Sequence, residues 1–187
     1  MEKSQEKEIV KHIHSGDKQA FGLLYDAYIQ DIYRFVYYKT HQKQVAEDLT
    51  SEIFTKAFEK ISSFRSEKGT IKVWLYQIAR NTIIDSYRTK KMTTNIEDAW
   101  DISSPENMEH DVDMKMQSKE LQEYLQKLTH DQRDVIIMRL WQDMSYAEIA
   151  LVMNKSEASC KMNYVRGIQE LRKIMPLTLF IILLLKI

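Results

Sequence analysis

Helix breakers are almost absent from this chain, with four Gly and two Pro in 187 residues. Gly16 and Gly69 separate apolar-periodic stretches, Gly22 and Gly167 lie inside them, and Pro105 and Pro176 stand where periodicity stops. Such a chain is expected to be all-α. From Ala20 to Thr40, the residues Phe21, Leu24, Tyr25, Tyr28, Ile32, Phe35 and Val36 recur three and four apart, the stripe of an amphipathic helix rather than the alternation of a strand. A short first helix, Ile9 to Ile13, is closed by Gly16, and Asp17 is placed to cap the second by accepting its free amide hydrogens. A third helix is expected from about Val45 to Ile61, with Val45, Leu49, Ile53, Phe54, Ala57, Phe58 and Ile61 inward and an acidic, polar outer side. A fourth, from Ile71 to about Arg88, carries Trp74, Leu75, Ile78, Ala79, Ile83 and Ile84 and ends in the basic run SYRTKK.

Composition narrows the class further. At 44% hydrophobic and 29% charged, the chain has enough apolar side chain for real cores and too little bias for a disordered chain, a collagen-like fibre or one continuous coiled coil. A single Cys excludes an internal disulfide framework and a cysteine-rich zinc site, and fits a reducing interior. The charged N-terminus lacks the apolar core of a signal peptide, so a cytoplasmic location is expected. His12 and His14 lie two apart, on different helix faces, and no nucleophile–base pair, phosphate-binding Gly loop or metal-ligand spacing is present. Neither enzyme, metal nor cofactor is expected.

Lys and Arg balance Asp and Glu at 27 each, but unevenly along the chain. From Arg65 to Lys91 seven cations face two anions, a net of +5, and from Glu97 to Glu123 nine anions face two cations, a net of −7. Residues 94–117 hold Pro105 and few periodic apolar residues, and read as a flexible acidic linker because they cannot bury enough apolar surface to offset ordering entropy. The alternative is a solvated loop within one domain. The expected organisation is two small helical domains, 1–93 and 118–175, joined by 94–117 and followed by an apolar tail, 176–187.

The sharpest motif lies in the C-terminal third. Thr129 and Gln132 form one capping box, and Ser145 with Glu148 a second before the short helix YAEIALVM. The chain turns at Asn154 and Lys155, and Ser156 caps a longer helix, EASCKMNYVRGIQELRKI. A short helix, a tight turn and a longer helix are the spacing of a helix-turn-helix, which presents the second helix to the DNA major groove. Ala147, Ile149, Ala150, Met153, Cys160 and Tyr164 would form its shared core. Glu157, Ser159, Lys161, Met162, Asn163, Val165 and Arg166 would be exposed, with Lys161, Asn163 and Arg166 reading DNA. The bland alternative makes these cations solvated surface charges, and Cys160 a small core residue rather than a reactive thiol.

Four segments in this order, GDKQAFGLLYDAY, AEDLTSEIFTKAF, FRSEKGTIKVWLYQIARNTIIDSYR and LTHDQRDVIIMRLWQDMSYAEIALVMNKSEASCKMNYVRGIQELRK, make the chain resemble an extracytoplasmic-function (ECF) RNA polymerase sigma factor over about residues 5–174. The resemblance implies one domain that binds polymerase and melts the downstream promoter element, and a helix-turn-helix domain that reads the upstream element. By that resemblance Asp48, Leu49, Glu52 and Phe54 bind the clamp helices of the largest polymerase subunit. An acidic face backed by apolar residues suits a basic partner helix. Lys72, Trp74, Tyr76, Arg80, Asn81, Asp85 and Arg88 match the segment that holds the downstream promoter strand, where rings stack on unpaired bases and cations follow phosphate. Ser159, Lys161, Met162, Asn163 and Arg166 match the upstream-element reader.

The sequence departs from the family at several positions. Ser51 stands for a usual Gln, Lys72 for Arg or a small polar residue, and Met162-Asn163 for a typical Ser-Arg pair. An Arg on guanine contributes about 1–3 kcal/mol of discrimination, so the family's promoter preference does not transfer. The expected partners are core RNA polymerase, promoter DNA and an anti-sigma factor. Zero net charge and the acidic segment predict weak, salt-dependent duplex binding by the isolated chain. Two competing readings are a helix-turn-helix regulator acting without polymerase and a helical interaction protein with no DNA role.

The tail PLTLFIILLLKI fits packing on the second domain, docking of a partner, contact with a bilayer interface, or a reading-frame artefact. Packing or docking is the expected role. As a helix of about 14 Å it is too short to cross a ~30 Å hydrocarbon core.

Overall fold

In the computed structural model of the chain, the structure describes residues 3–93 and 120–185. Every regular element among them is helical, as expected. The elements are α1 (Lys3–His14), α2 (Ala20–Thr40), α3 (Lys43–Lys60), two 3₁₀ turns (Ile61–Ser63 and Ser66–Lys68), α4 (Ile71–Thr93), α5 (120–126), α6 (His130–Leu140), α7 (Tyr146–Met153), α8 (Glu157–Ile174) and α9 (Leu177–Leu185). The segment read as an acidic linker, 94–117, lies outside the described residues. The described helices fall into two compact units, one carrying α1–α4 together with Leu151–Met153, the other carrying the rest.

In the first unit α2 packs on α3 and α4, and α1 lies across α2. The stripe read from sequence is the buried one: Leu24, Tyr28, Ile32, Phe35 and Val36 of α2 meet Ala46, Ile53, Phe54 and Ala57 of α3 and Leu75, Tyr76, Ala79 and Ile83 of α4. Each large side chain so buried contributes about 1.5–3 kcal/mol. Rings interlock edge to face, Phe35 against Tyr76 at 5.1 Å and Tyr25 against Phe54 at 4.9 Å. Helix α1 is longer than apolar periodicity suggests, because its first turn is held by a polar contact: the buried Tyr28 hydroxyl donates to the Glu6 carboxylate. Gly16, at φ 99°, makes the left-handed turn after α1. Asp17 Oδ1 accepts from the amides of Gln19 and Ala20 at 3.0 and 3.3 Å, the expected capping role. Two expectations fail here, the first at Tyr25 of the α2 stripe, which is 42% exposed. Phe58 is 43% exposed rather than core, its ring edge-on to Phe21 at 5.2 Å.

In the second unit, α6 and α8 form the central pair. Thr129 and Gln132 make the reciprocal capping box at the start of α6, and Ser145 with Glu148 repeats it at α7. Ser156 Oγ accepts from the Ser159 amide at 3.2 Å to start α8. Asn154 takes the left-handed conformation, φ 52°, in the turn between α7 and α8, and the Lys155 amide bonds back to Ala150 O at 3.0 Å. Arg133 ties α5 to α6 by donating to the carbonyls of Leu125 and Gln126, each at 2.8 Å. Of the expected helix-turn-helix core, Ile149, Met153 and Cys160 are buried and Ala150 and Tyr164 half-buried. Ala147 is exposed, on the outward side of so short a helix. Burial raises the Cys160 thiol pKa, as suits a packing residue.

Candidate nucleic-acid interface

Three helix faces carry the residues singled out by sequence. On α3, Asp48 and Glu52 are exposed one turn apart. Asp48 Oδ1 accepts from Gln44 Nε2 at 3.1 Å, and Glu52 pairs with Lys56 at 2.6 Å. Leu49 and Phe54 are buried beneath them, so they support the face from within and present nothing to a partner. This corrects their assignment as contact residues. Period explains it: 49, 53 and 57 form the inward row of α3, and 48 and 52 the outward one. Glu47 and Glu59 are also exposed, widening the acidic surface beyond the two carboxylates expected.

On α4, Trp74, Asn81, Asp85 and Arg88 lie seven, four and three residues apart, which places them on one helical stripe. Asn81, Asp85 and Arg88 are exposed. Trp74 is half-buried, its ring 5.5 Å from that of Phe64. Lys72, Tyr76 and Arg80 occupy a different row, four apart. Lys72 and Arg80 are half-buried at its edges, and Tyr76 is fully buried at 0% exposure. Tyr76 therefore cannot stack on a base, and its expected role is withdrawn. Its position, between Ile71–Leu75 and Ala79–Ile83, turns it into the core against Phe35. Burial pushes its phenol pKa well above the ordinary value.

On α8, Lys161, Met162, Val165 and Arg166 are exposed and form the outer face of the helix. Ser159 and Asn163 sit half-buried at its flank, and Asn163 Nδ2 donates to Ser159 O at 3.0 Å, so the amide is turned back on its own helix. The ring of Tyr146, at the start of α7, gathers two cations: Arg139 at 5.2 Å and Lys161 at 6.0 Å from its centroid. Tyr164 closes on it edge to face at 5.8 Å. Arg139 Nη1 is held further by donating to Met144 O at 3.0 Å. Burial raises the Tyr146 phenol pKa while Arg139 opposes the shift, and burial also raises that of Tyr164. Both rings are neutral platforms at ordinary pH.

With this geometry in hand, comparison with known proteins decides the family. The model of Sigma-70 region 2 matches residues 24–93, and that of Sigma-70 region 4 matches residues 118–171. The ECF RNA polymerase sigma factor SigX of Bacillus subtilis strain 168 is 32% identical over 167 residues, covering 86% of this chain and 86% of its own. SigM of the same organism is 33% identical over 150 residues, covering 80% of this chain and 91% of its own. The chain belongs to the ECF sigma-70 family. As a sigma factor it is a transcription initiation factor that directs core RNA polymerase to promoters. ECF sigma factor BldN of Streptomyces coelicolor is 33% identical over 175 residues, and the chain spans 65% of that longer relative.

The fold of the sigma factor agrees. It matches CnrH, solved in complex with the cytosolic domain of CnrY, with a TM-score of 0.72 at 18% identity over 91% of this chain and 96% of that one. It matches the sigma factor RpoE of Bartonella quintana, solved with the anti-sigma factor NepR, with a TM-score of 0.69 at 22% identity over 82% of this chain and 94% of that one. Sequence reasoning missed Arg139 and Tyr146 of the sigma factor. The signal was a cation and an aromatic flanking the second capping box, but only the turn through Met144 brings them to Lys161.

No described helix of this sigma factor is long and apolar enough to cross a membrane.

Proposed function

We propose that residues 1–93 grip polymerase and the melted downstream element, that 118–175 read the upstream element, and that 94–117 tether the two. The outward carboxylates Asp48 and Glu52 pair with a basic helix of core polymerase, positioned by Leu49 and Phe54 behind them. The α4 stripe takes the unpaired strand: Trp74 offers a ring edge, Asn81 a paired donor and acceptor for a base edge, and Arg88 a cation for phosphate. Strand separation then follows from binding, since single strands gain contacts with α4 that a duplex cannot make. No covalent step is needed, and the protein works as a non-enzymatic, cytoplasmic factor. An anti-sigma protein is a fitting regulator, because the sigma factor RpoE named above is held by one, NepR. The observation that carries the reading is the solvent-facing set Lys161, Met162, Val165 and Arg166 on the second helix of a helix-turn-helix.

The test is reconstituted transcription with core polymerase and a promoter library. Lys161→Ala and Arg166→Ala should each lower output about tenfold from the preferred upstream element, the scale of one lost base contact, while preserving the downstream preference. Asn81→Ala should slow promoter opening and leave upstream binding intact. Unchanged output from all three variants overturns the assignment of these faces. Nanomolar duplex binding by the isolated chain at physiological salt overturns the dependence on polymerase.

A further inference from the structure

The apolar tail is only half used by the fold. Helix α9 packs on α8 and buries Leu179, Phe180 and Leu183. Its other side leaves Leu177, Ile181, Ile182 and Leu185 at 70%, 46%, 37% and 78% exposure. Residues 177, 181 and 185 are four apart and so form one continuous ridge, with Ile182 beside it. An ordinary surface helix would carry polar residues there; Thr178 is the sole polar side chain in α9.

The charge around the ridge is mostly positive. From Leu171 to Ile187 the sequence holds Arg172, Lys173 and Lys186 and no Asp or Glu, with Glu170 immediately before. Arg172 and Lys173 are exposed in the last turn of α8, and Lys173 keeps a solvent-exposed pair with Glu170 at 3.5 Å. Four exposed side chains are far fewer than the roughly 20–30 residues a side of a stable protein interface, so the ridge is too small to hold a second copy or a protein partner unaided. A nine-residue helix is also too short to span a bilayer. An apolar ridge with Arg172 and Lys173 at its chain-start end, offset only by the solvent-exposed Glu170 paired to Lys173, suits a surface that is apolar beneath and negative above, which is the headgroup boundary of an anionic bilayer.

We propose that α9 is a reversible anchor that lays the Leu177–Ile181–Leu185 ridge into the interface of anionic membranes while Arg172 and Lys173 meet the headgroups. An element of this size gives weak partition, on the scale of a single myristoyl chain at about 10⁴ M⁻¹, so polymerase and promoter can draw the protein away.

Flotation of the full chain with phosphatidylcholine vesicles, with and without phosphatidylglycerol, tests this. The wild-type chain should float with the phosphatidylglycerol vesicles. The Ile181→Asp/Leu185→Asp variant alters only exposed positions and should keep the wild-type melting curve and reconstituted transcription while losing about tenfold or more of its bound fraction. The Arg172→Ser/Lys173→Ser variant should lose the preference for phosphatidylglycerol. Absence of wild-type flotation on either vesicle overturns the proposal, as does equal flotation of wild type and I181D/L185D. Sedimentation showing a dimer that the aspartates dissolve would instead give the ridge to a second copy. Because transcription is read separately, a failed anchor leaves the initiation role standing.

Discussion

The two units reach helical order by different routes. The first uses long helices of 12 to 23 residues and an aromatic core, with Phe21, Tyr28, Phe35, Phe54, Phe64 and Tyr76 all buried. Asp17 and Thr70 offer side-chain acceptors at the starts of α2 and α4, but α3 follows Gln42 with no side-chain acceptor for its free amides. The second unit includes the eight-residue α7 and a core of Leu, Ile, Val and Met, and side-chain oxygens cap α6, α7 and α8 in turn. A short helix has too few internal hydrogen bonds to outweigh its nucleation cost, so a satisfied terminus matters more to it. Long helices draw order instead from the breadth of their packed faces. The first unit should therefore be sensitive to ring loss and the second to its helix ends and its closest backbone approach.

The largest expected effect is Phe35→Ala. This ring is fully buried against Tyr76, and its loss should cost the first unit about 3–5 kcal/mol, read as a lowered melting transition of that unit. Next is Gly167→Leu. A Cβ at Gly167 would sit 2.7 Å from Ile136 Cδ1 and 3.3 Å from Gln132 Cβ, so the α6–α8 crossing has no room for it. Overpacking there should destabilise the second unit by about 1–3 kcal/mol, and Ile136→Val should recover part of the loss. Thr129→Ala removes half of a capping box and should cost about 1 kcal/mol in denaturant unfolding, whereas Gln42→Ala at the start of α3 should stay within about 0.5 kcal/mol. Equal losses from the two would break the contrast between the units.

The smallest effect at neutral pH is Tyr76→Phe. The buried Tyr76 hydroxyl has no hydrogen-bond partner among the described residues, so its removal should leave stability unchanged or slightly higher, with promoter output unaffected. Its consequence grows in alkali. Burial raises the phenol pKa of Tyr76, and burial together with the Glu6 carboxylate raises that of Tyr28, both from the ordinary 10.0. Above about pH 10 the unfolded chain sheds these protons while the folded unit retains them, so stability is full below that pH and falls as pH rises. Urea midpoints of the first unit from pH 9 to 11 should show the decline, and Tyr76→Phe should make it shallower.

The periodicity of α2, α3 and α4, the three side-chain caps of the second unit and the turn at Asn154 were all legible in the sequence, because each depends on residues within a few positions of one another. Tyr76, Leu49 and Phe54 enter the contact sets through the family resemblance, which matches segments without regard to helical phase: periodicity already turns Leu49 and Phe54 inward, and an aromatic beside cations suits a strand-binding face only if it points outward. The early start of α1 was invisible because a Tyr28–Glu6 hydrogen bond, 22 residues long-range, fixes it rather than an apolar stripe. The cluster of Arg139, Tyr146 and Lys161 was hidden for the same kind of reason, since a turn and a helix pair bring it together. Asn163 suits base reading by residue type, yet one of its amide N–H groups is engaged by Ser159 O of its own helix.

The close seat of Gly167 against Ile136 holds α8 through its inner side, while Met162, Val165 and Arg166 face solvent and Lys161 alone of the outer set reaches back, to the Tyr146 ring. Under the proposed assignment, target choice and thermal robustness are written on opposite sides of one helix. On that assignment, exchanging Met162, Val165 or Arg166 should retune which genes are switched on without reopening the question of whether the domain folds.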